Sequence, residues 1–166
     1  MDELDRKLIL ELQADGRQSY SNLGKILGTS EGTVRKRLKS LRKRNIMKIV
    51  AVPNIHELGY TFISIVGIQV RMAELDKVRE NLCRNPAVCQ LAWVTGRYDL
   101  IAIVATRSTD EFANFMANEL STIPSVVRTE TFVSLGMVKG AVCLADTVEL
   151  IRSLDVTLPK KKNKKR

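Results

Sequence analysis

The chain has 166 residues, of which 45% are hydrophobic and 27% are charged, and its formal net charge is +9. These values are typical of a globular chain with one ordinary domain or two small ones, and they exclude a disordered tail protein and a fibrous repeat. No run of eighteen apolar residues offers a membrane span, and the N-terminus lacks a secretory signal, so we expect a cytoplasmic protein with no membrane partner.

Positive charge is concentrated at the two ends of the chain. Residues 1–46 carry a net charge of +5 and residues 159–166 a net charge of +6, whereas residues 47–100 carry +1 and residues 101–158 carry −3. A basic module joined to a nearly neutral one is typical of a polyanion-binding end and a separate working end. A basic protein that is merely soluble is the alternative, which charge alone does not exclude.

Three short helices are predicted in the first 45 residues. Asp2, Ser19 and Ser30 are residue types that cap helices, and apolar residues at helical spacing follow each of them. Gly28 is expected to end the second helix and Asn45 the third, because both residue types tolerate the left-handed conformation. Two short helices joined by a tight turn, the second of them basic, form a helix-turn-helix.

The third predicted helix, from Glu31 to Arg44, carries the most information. Its narrow apolar stripe consists of Val34, Leu38 and Leu41, which must face the other two helices. Seven of its fourteen residues are Lys or Arg, and Glu31 alone opposes them. Because like charges at helical spacing repel each other, we expect an external polyanion, the DNA backbone, to compensate them. A solvated basic face is the alternative.

In a helix-turn-helix, the first residues of the second helix meet base edges in the major groove. Here those residues are Ser30, Glu31, Gly32, Thr33, Arg35 and Lys36. Gly32 is unusual, because glycine inside a helix costs up to about 1 kcal/mol against alanine. It either lets the backbone approach the groove closely or is a tolerated glycine of the first turn.

A different pattern begins after the third helix. Residues 46–52 are apolar and β-branched, which predicts a connecting strand. The elements predicted next are strands at 61–70, 87–95, 99–106 and 126–135, a helix at 74–84 and a helix capped by Thr109. The order β-α-β-β-α-β is that of the ferredoxin-like unit, so the fold class is α+β. Because the two helices cover one sheet face, we infer that a second subunit covers the other, apolar face.

Five blocks of sequence also resemble a known family. They are LDRKLILELQADGR, LGKILGTSEGTVRKRLKSLRKRNIM, PNIHELGY, VTGRYDL and IPSVVRTETFV. Over residues 2–150 the chain resembles the Lrp/AsnC (leucine-responsive, feast/famine) transcriptional regulators. The resemblance implies a winged helix-turn-helix that binds double-stranded DNA. It also implies a ferredoxin-like domain that dimerises through its sheets, often forms tetramers or octamers, and senses a small-molecule effector, usually an amino acid.

Two sets of site residues follow from the helix-turn-helix and the resemblance together. The DNA-binding set is Ser19, Tyr20, Ser30, Glu31, Gly32, Thr33, Arg35, Lys36, Arg37 and Lys39. The effector-binding set is Gly96, Arg97, Tyr98, Asp99, Thr129 and Thr131. Ser30 and Arg37 match family positions that contact DNA or stabilise the helix. Glu31 and Thr33 replace prolines that are common around this turn, and Arg97 replaces a residue that is often acidic or Asn, so operator and effector preferences need not follow the family.

The residue types of the central hairpin agree in part with an amino-acid site. Gly96 lets the backbone approach a ligand, and Asp99 offers an acceptor for an ammonium group. The hydroxyls of Thr129 and Thr131 would complete the site. An ordinary hairpin turn, for which Gly and Asp are common, is the alternative.

Two other functions share this architecture. Siroheme decarboxylases resemble it, but they need several polar catalytic groups, and the one histidine, His56, lies in the linker. No nucleophile–base pair or metal-ligand cluster stands out, so we expect no enzyme, no metal and no cofactor. An RNA-recognition module stacks bases on strand aromatics, but residues 99–106 contain none and the first strand has only Phe62.

The predicted organisation has four parts. They are the DNA-binding domain at 1–45, a linker strand and connection at 46–60, the ligand-sensing and oligomerisation domain at 61–153, and a basic, disordered tail at 154–166. An extra edge element is predicted at 141–145, followed by a helix near 147–154. The tail either adds nonspecific phosphate contacts or is solvated.

Overall fold

The computed structural model describes residues 1–136 and Val138, and the chain divides between Ala51 and Val52 into two compact units. Unit 1, residues 1–51, contains three helices: α1 (Glu3–Ala14), α2 (Tyr20–Ile26) and α3 (Glu31–Lys43). Asp2, Ser19 and Ser30 cap them as expected, each side chain accepting the backbone N–H three residues ahead at 2.9–3.1 Å. The predicted helix-turn-helix is confirmed.

The C-terminal ends of α2 and α3 are each followed by a residue in the left-handed conformation, as the sequence predicts. Gly28 has φ +64° and Asn45 has φ +54°. The N–H of Ile46 then returns to the Leu41 carbonyl at 3.0 Å, which closes the last turn of α3. Residues at both positions therefore set where α2 and α3 stop.

The core of unit 1 lies between the three helices. Its buried side chains are Leu8, Leu12, Leu23, Val34, Leu38 and Leu41. Ile26 of α2 lies outside this core, because 51% of its surface is exposed. The side of α2 that faces the core is the one that carries the buried residues Leu23 and Gly24. Ile26 lies on a different side of the helix and faces solvent.

The described residues of unit 2 form a four-stranded sheet with helices on one face. The elements are β1 (Phe62–Val70), a 3-10 turn (Met72–Glu74), α4 (Leu75–Arg84), β2 (Val88–Trp93), β3 (Leu100–Thr106), α5 (Thr109–Asn114) with a π-helical continuation (Phe115–Leu120), and β4 (Val126–Val133). The strands lie in the order β2-β3-β1-β4, and every pair is antiparallel. The α+β class and the ferredoxin-like order are confirmed. Ser108, and not Thr109, caps α5.

The two faces of the sheet differ in what covers them. Toward the helices, Val66 and Ile68 of β1 pack in one core with Phe115 and Leu120. On the other face, Ile55 and Tyr60 from the segment before β1 pack on Ile63, Cys89 and Ala105. No other described residue covers the rest of that face, which we call the open face. Its cross-strand neighbours Ile65 and Phe132 are 40% and 49% exposed.

The predicted connecting strand at residues 46–52 is wrong. Between α3 and Phe62, a stretch that the structure describes in full, no residue is in a strand, so unit 1 also has no wing of paired strands. A strand needs a neighbour that exchanges ladder hydrogen bonds, and none lies beside this segment. Ile49, Val50 and Val52 are about half exposed instead, and Met47 packs against the core of unit 1.

Several predictions lie outside the described residues. These are the edge element at 141–145, the helix near 147–154 and the tail at 154–166. Among the helices that the structure describes, none has the length and apolar composition needed to span a bilayer.

Candidate functional site

The outward side of α3 carries an unneutralised basic stripe. Gly32, Lys36, Lys39 and Lys43 follow each other at spacings of four, three and four, and all four are exposed. None of the three lysines forms an ion pair with a residue that the structure describes. We call these three residues the lysine stripe. Their charge is available to an external anion.

One flank of α3 is tied to α2. The guanidinium of Arg35 lies 2.7 Å from the Glu31 carboxylate and 5.9 Å from the centre of the Tyr20 ring. The single acid of α3 is therefore used within the helix, and the cation of Arg35 is partly neutralised. Glu31, Tyr20 and Arg35, all predicted to bind DNA, form one local cluster.

The other flank of α3 is tied to the start of α1. Arg37 Nη1 lies 2.5 Å from Asp2 Oδ2 and 3.4 Å from Asp5 Oδ1. The backbone N–H of Asp5, together with the Arg37 guanidinium, holds the pKa of the Asp2 carboxyl below its ordinary value. Arg37 is thus paired inside unit 1, unlike the lysine stripe.

The predicted hydroxyl contacts also have roles inside the fold. Ser19 Oγ accepts the Asn22 N–H and Ser30 Oγ accepts the Thr33 N–H, each at 3.1 Å. The Ser30 and Thr33 hydroxyls are 2.9 Å apart. These groups hold the N-termini of α2 and α3 at the surface, where Ser19 and Ser30 are exposed.

A groove of about 790 Å³ runs between α3 and residues 47–50. Its lining contains both apolar and basic residues; the basic residues are Arg35, Lys39, Arg42, Lys43 and Lys48. Three of these, Arg42, Lys43 and Lys48, are absent from the predicted DNA-binding set. The run of basic residues at 42–44 was the sequence signal for Arg42 and Lys43. Nothing in the sequence showed that residue 48 turns back beside α3.

The central hairpin brings part of the predicted effector set together on the open face. The Tyr98 ring lies on Gly67 so closely that a Cβ at residue 67 would be 2.7 Å from it. The Tyr98 hydroxyl hydrogen-bonds to the Glu130 carboxylate, and Arg97 Nη1 lies 3.6 Å from Glu130 Oε2. Gly96, at φ +123°, makes the turn. We call Arg97, Tyr98 and Glu130 the hairpin cluster.

Asp99 supports the hairpin through β1. Its Oδ2 accepts the Val70 N–H at 2.9 Å, and its own N–H donates to the Ile68 carbonyl at 3.0 Å. One carboxylate oxygen is thus engaged by the backbone. The Asp99 side chain orders the end of β1 beside the cluster.

Thr129 and Thr131 do not join the hairpin cluster. They pair with Ile68 and Val66, whose side chains point into the helix-covered core, so both threonines lie on that face of the sheet. Glu130, which pairs with Gly67, lies between them and faces the opposite way. Sequence reasoning missed Glu130, although the alternation along 126–135 was the signal that separates it from its neighbours.

In the described part of the chain, no three His, Cys, Asp or Glu side chains come together in a way that could hold a metal ion. His56 lies in the turn before β1, where its N–H donates to the Asn54 side chain at 3.1 Å. Burial raises the pKa of the Cys89 thiol to about 11, so this thiol stays protonated near neutral pH.

Family models match both units. An AsnC-type helix-turn-helix domain matches residues 1–42, and an Lrp/AsnC ligand binding domain matches residues 63–141. The first match contains Lys36 and Lys39 of the lysine stripe and ends one residue before Lys43, and the second match contains the hairpin cluster.

Solved structures and curated relatives agree with these matches. Escherichia coli AsnC has a TM-score of 0.78 at 25% identity, covering 84% of this chain and 95% of that one. A Neisseria meningitidis transcriptional regulator in complex with L-Met has a TM-score of 0.76 at 20% identity, covering 85% and 94%.

Two archaeal relatives are similar over most of their length. An HTH-type transcriptional regulator of Pyrococcus furiosus is 35% identical over 132 residues, 79% of this chain and 89% of the relative. The HTH-type transcriptional regulator FL11 of Pyrococcus horikoshii is 30% identical over 136 residues, 81% of this chain and 89% of that protein. The chain belongs to the Lrp/AsnC family of HTH-type transcriptional regulators.

Proposed function

We propose that this regulator works as a dimer or higher oligomer that places two copies of α3 in successive turns of a DNA major groove. The observation that carries this proposal is the lysine stripe of Lys36, Lys39 and Lys43, which lacks acidic partners among the described residues and extends from the capped start of α3. Phosphates supply the missing counter-charge, and the residues near Ser30 meet base edges. Because the proposed target is DNA, we infer that the protein acts in the cytoplasm.

The test is selection of bound duplexes from a random-sequence pool by the full chain. The expected product has two inverted half-sites whose centres lie about 10 base pairs apart, or a multiple of that spacing. Enrichment of single half-sites would contradict recognition of DNA by a dimer. No enrichment of any sequence would contradict sequence-specific binding.

Dimerisation through the open face is supported by its exposed apolar side chains. Ile65 and Phe132 are cross-strand neighbours there, with the partly buried Ile101 and Ile103 on the same face. Contiguous apolar surface of this kind commonly marks an interface. Joining two chains here tethers two copies of α3.

Phe132→Asp is expected to weaken the dimer at least about 100-fold, because it places an unpaired charge inside the proposed interface. Val133→Asp is the matched control: Val133 is adjacent and equally exposed, at 49%, but it lies on the opposite face. Analytical ultracentrifugation measures the dissociation constant of each variant. Equal effects of both substitutions, or none from Phe132→Asp, would contradict this interface.

The hairpin cluster is the site that we propose for an amino acid or similar zwitterion. Tyr98 and Glu130 offer a hydroxyl and a carboxylate, Arg97 offers a cation, and the Neisseria relative of similar fold is described in complex with L-Met. A zwitterion needs one acceptor for its ammonium and one donor for its carboxylate. The cluster supplies both groups side by side.

Gly67→Ala is expected to weaken ligand binding at least about tenfold, because the new methyl displaces the Tyr98 ring. Thr129→Ala, on the other face of the sheet, should leave binding unchanged. A thermal-shift panel of amino acids identifies the ligand, and calorimetry with that amino acid measures both variants. No stabilising amino acid in the panel would contradict the proposal, as would loss of binding in Thr129→Ala alone.

A further inference from the structure

Arg37 differs from the lysine stripe in what its charged group contacts. Lys36 and Lys39 are exposed and unpaired within the described residues, whereas the Arg37 side chain is 39% exposed and contacts two aspartates. These aspartates lie 35 and 32 residues earlier in the chain. Arg37 therefore links the middle of α3 to the first turn of α1.

The two aspartates are themselves fixed by the backbone. Asp2 Oδ1 accepts the Asp5 N–H at 2.9 Å, and Asp5 Oδ2 accepts the Asp2 N–H at 3.3 Å, which forms a capping box. Each carboxylate thus uses one oxygen to hold the start of α1 and the other to contact Arg37. The guanidinium is held by a rigid pair of acceptors.

Moving Arg37 to a DNA phosphate would leave the Asp5 carboxylate without its cation. The Asp5 side chain is only 6% exposed, and an unpaired carboxylate in that position is costly. The lysine stripe can reach an anion with no such loss. We therefore expect Arg37 to remain paired with Asp2 and Asp5 when a DNA phosphate is nearby.

We propose that Arg37 is a positioning residue, which with Asp2 and Asp5 sets the orientation of α3 on α1 and does not itself bind DNA. This inference rests on the proposed entry of α3 into the major groove. It reassigns a residue that the sequence placed in the DNA-binding set. Its effect on DNA affinity acts through the angle at which the lysine stripe is presented.

The two possible roles of Arg37 predict opposite changes in DNA affinity when Asp2 is replaced with Asn. Asp2→Asn keeps a good N-cap for α1 but removes the charge that Arg37 contacts. If Arg37 bound DNA, this variant would release the guanidinium and remove a negative charge, so affinity would rise. If Arg37 positions α3, affinity must fall.

The experiment titrates full-length variants with the selected duplex at several salt concentrations, below their melting temperatures. Asp2→Asn and Arg37→Ala are each expected to bind several-fold more weakly, with the wild-type salt slope, and the double variant should be no weaker than Arg37→Ala. Arg37→Lys should restore part of the affinity. Lys36→Ala, in contrast, should reduce the slope by about 0.9, the value for one phosphate contact.

Three results would overturn the inference. They are tighter binding by Asp2→Asn, a reduced salt slope in Arg37→Ala, and a lower melting temperature in both variants without any loss of affinity in the folded protein. Two other results would contradict the proposed placement of α3 in the major groove and not the role of Arg37. They are a wild type that does not bind duplex DNA and a Lys36→Ala variant with an unchanged salt slope.

Discussion

Replacing Lys36, Lys39 and Lys43 together with alanine is expected to lower affinity for duplex DNA roughly a hundredfold or more and to reduce the salt slope by about 2.7. The reason is that each lysine is exposed and unpaired among the described residues, so each can neutralise one phosphate. Folding should not suffer, because the substitutions remove mutual repulsion from an exposed helix side. Fluorescence anisotropy over a salt series measures both quantities.

A charge-matched variant provides the control. Lys7, Lys77 and Arg84 are also exposed, but each lies within 3.5 Å of a carboxylate three or four residues earlier in the chain. Replacing these three with alanine gives the same net charge and should change affinity little. An equal loss in both triple variants would mean that only total charge matters, contrary to a defined contact by α3.

Gly24→Ala is expected to destabilise unit 1 by about 1–3 kcal/mol, the usual cost of overpacking. Gly24 is buried in α2, and a Cβ there would lie 2.8 Å from the Thr29 carbonyl oxygen. That oxygen belongs to the backbone of the tight turn, so it cannot move without shifting the start of α3. Thermal unfolding followed by helical circular dichroism measures the loss.

Gly32→Ala is the matched substitution in the same helix-turn-helix. A Cβ at residue 32 would lie 3.9 Å from the Ser30 hydroxyl oxygen, an ordinary van der Waals contact, so the methyl fits and should stabilise α3 by up to about 1 kcal/mol. A more stable variant that binds DNA poorly would show that the Gly32 backbone approaches the groove. Unchanged binding would identify it as a tolerated glycine, and a destabilised variant would contradict the packing around α3.

Local chemistry accounts for what could be predicted from the sequence. Asp2, Ser19 and Ser30 cap their helices because a side-chain oxygen can reach an N–H three residues away. Gly28 and Asn45 end helices because their backbones accept positive φ. The strand alternation and two helix patterns likewise determine the order of elements in unit 2.

Long-range contacts account for what could not be predicted. The pairing of Arg37 with Asp2 spans 35 residues and depends on how α1 packs on α3. The exclusion of Thr129 from the hairpin cluster depends on the register of β4 against β1, which puts Glu130 opposite Gly67. Residues 46–52 have strand-forming side chains but no neighbouring strand, and composition does not reveal whether a neighbour exists.

DNA binding by a dimer or higher oligomer is best tested by the mass of the complex between the full chain and a selected duplex in dilute buffer, measured by sedimentation or native mass spectrometry. This mode of binding predicts two chains, or a multiple of two, on each duplex, and dissociation as salt is raised. A monomer that does not associate with duplex DNA under these conditions would contradict it.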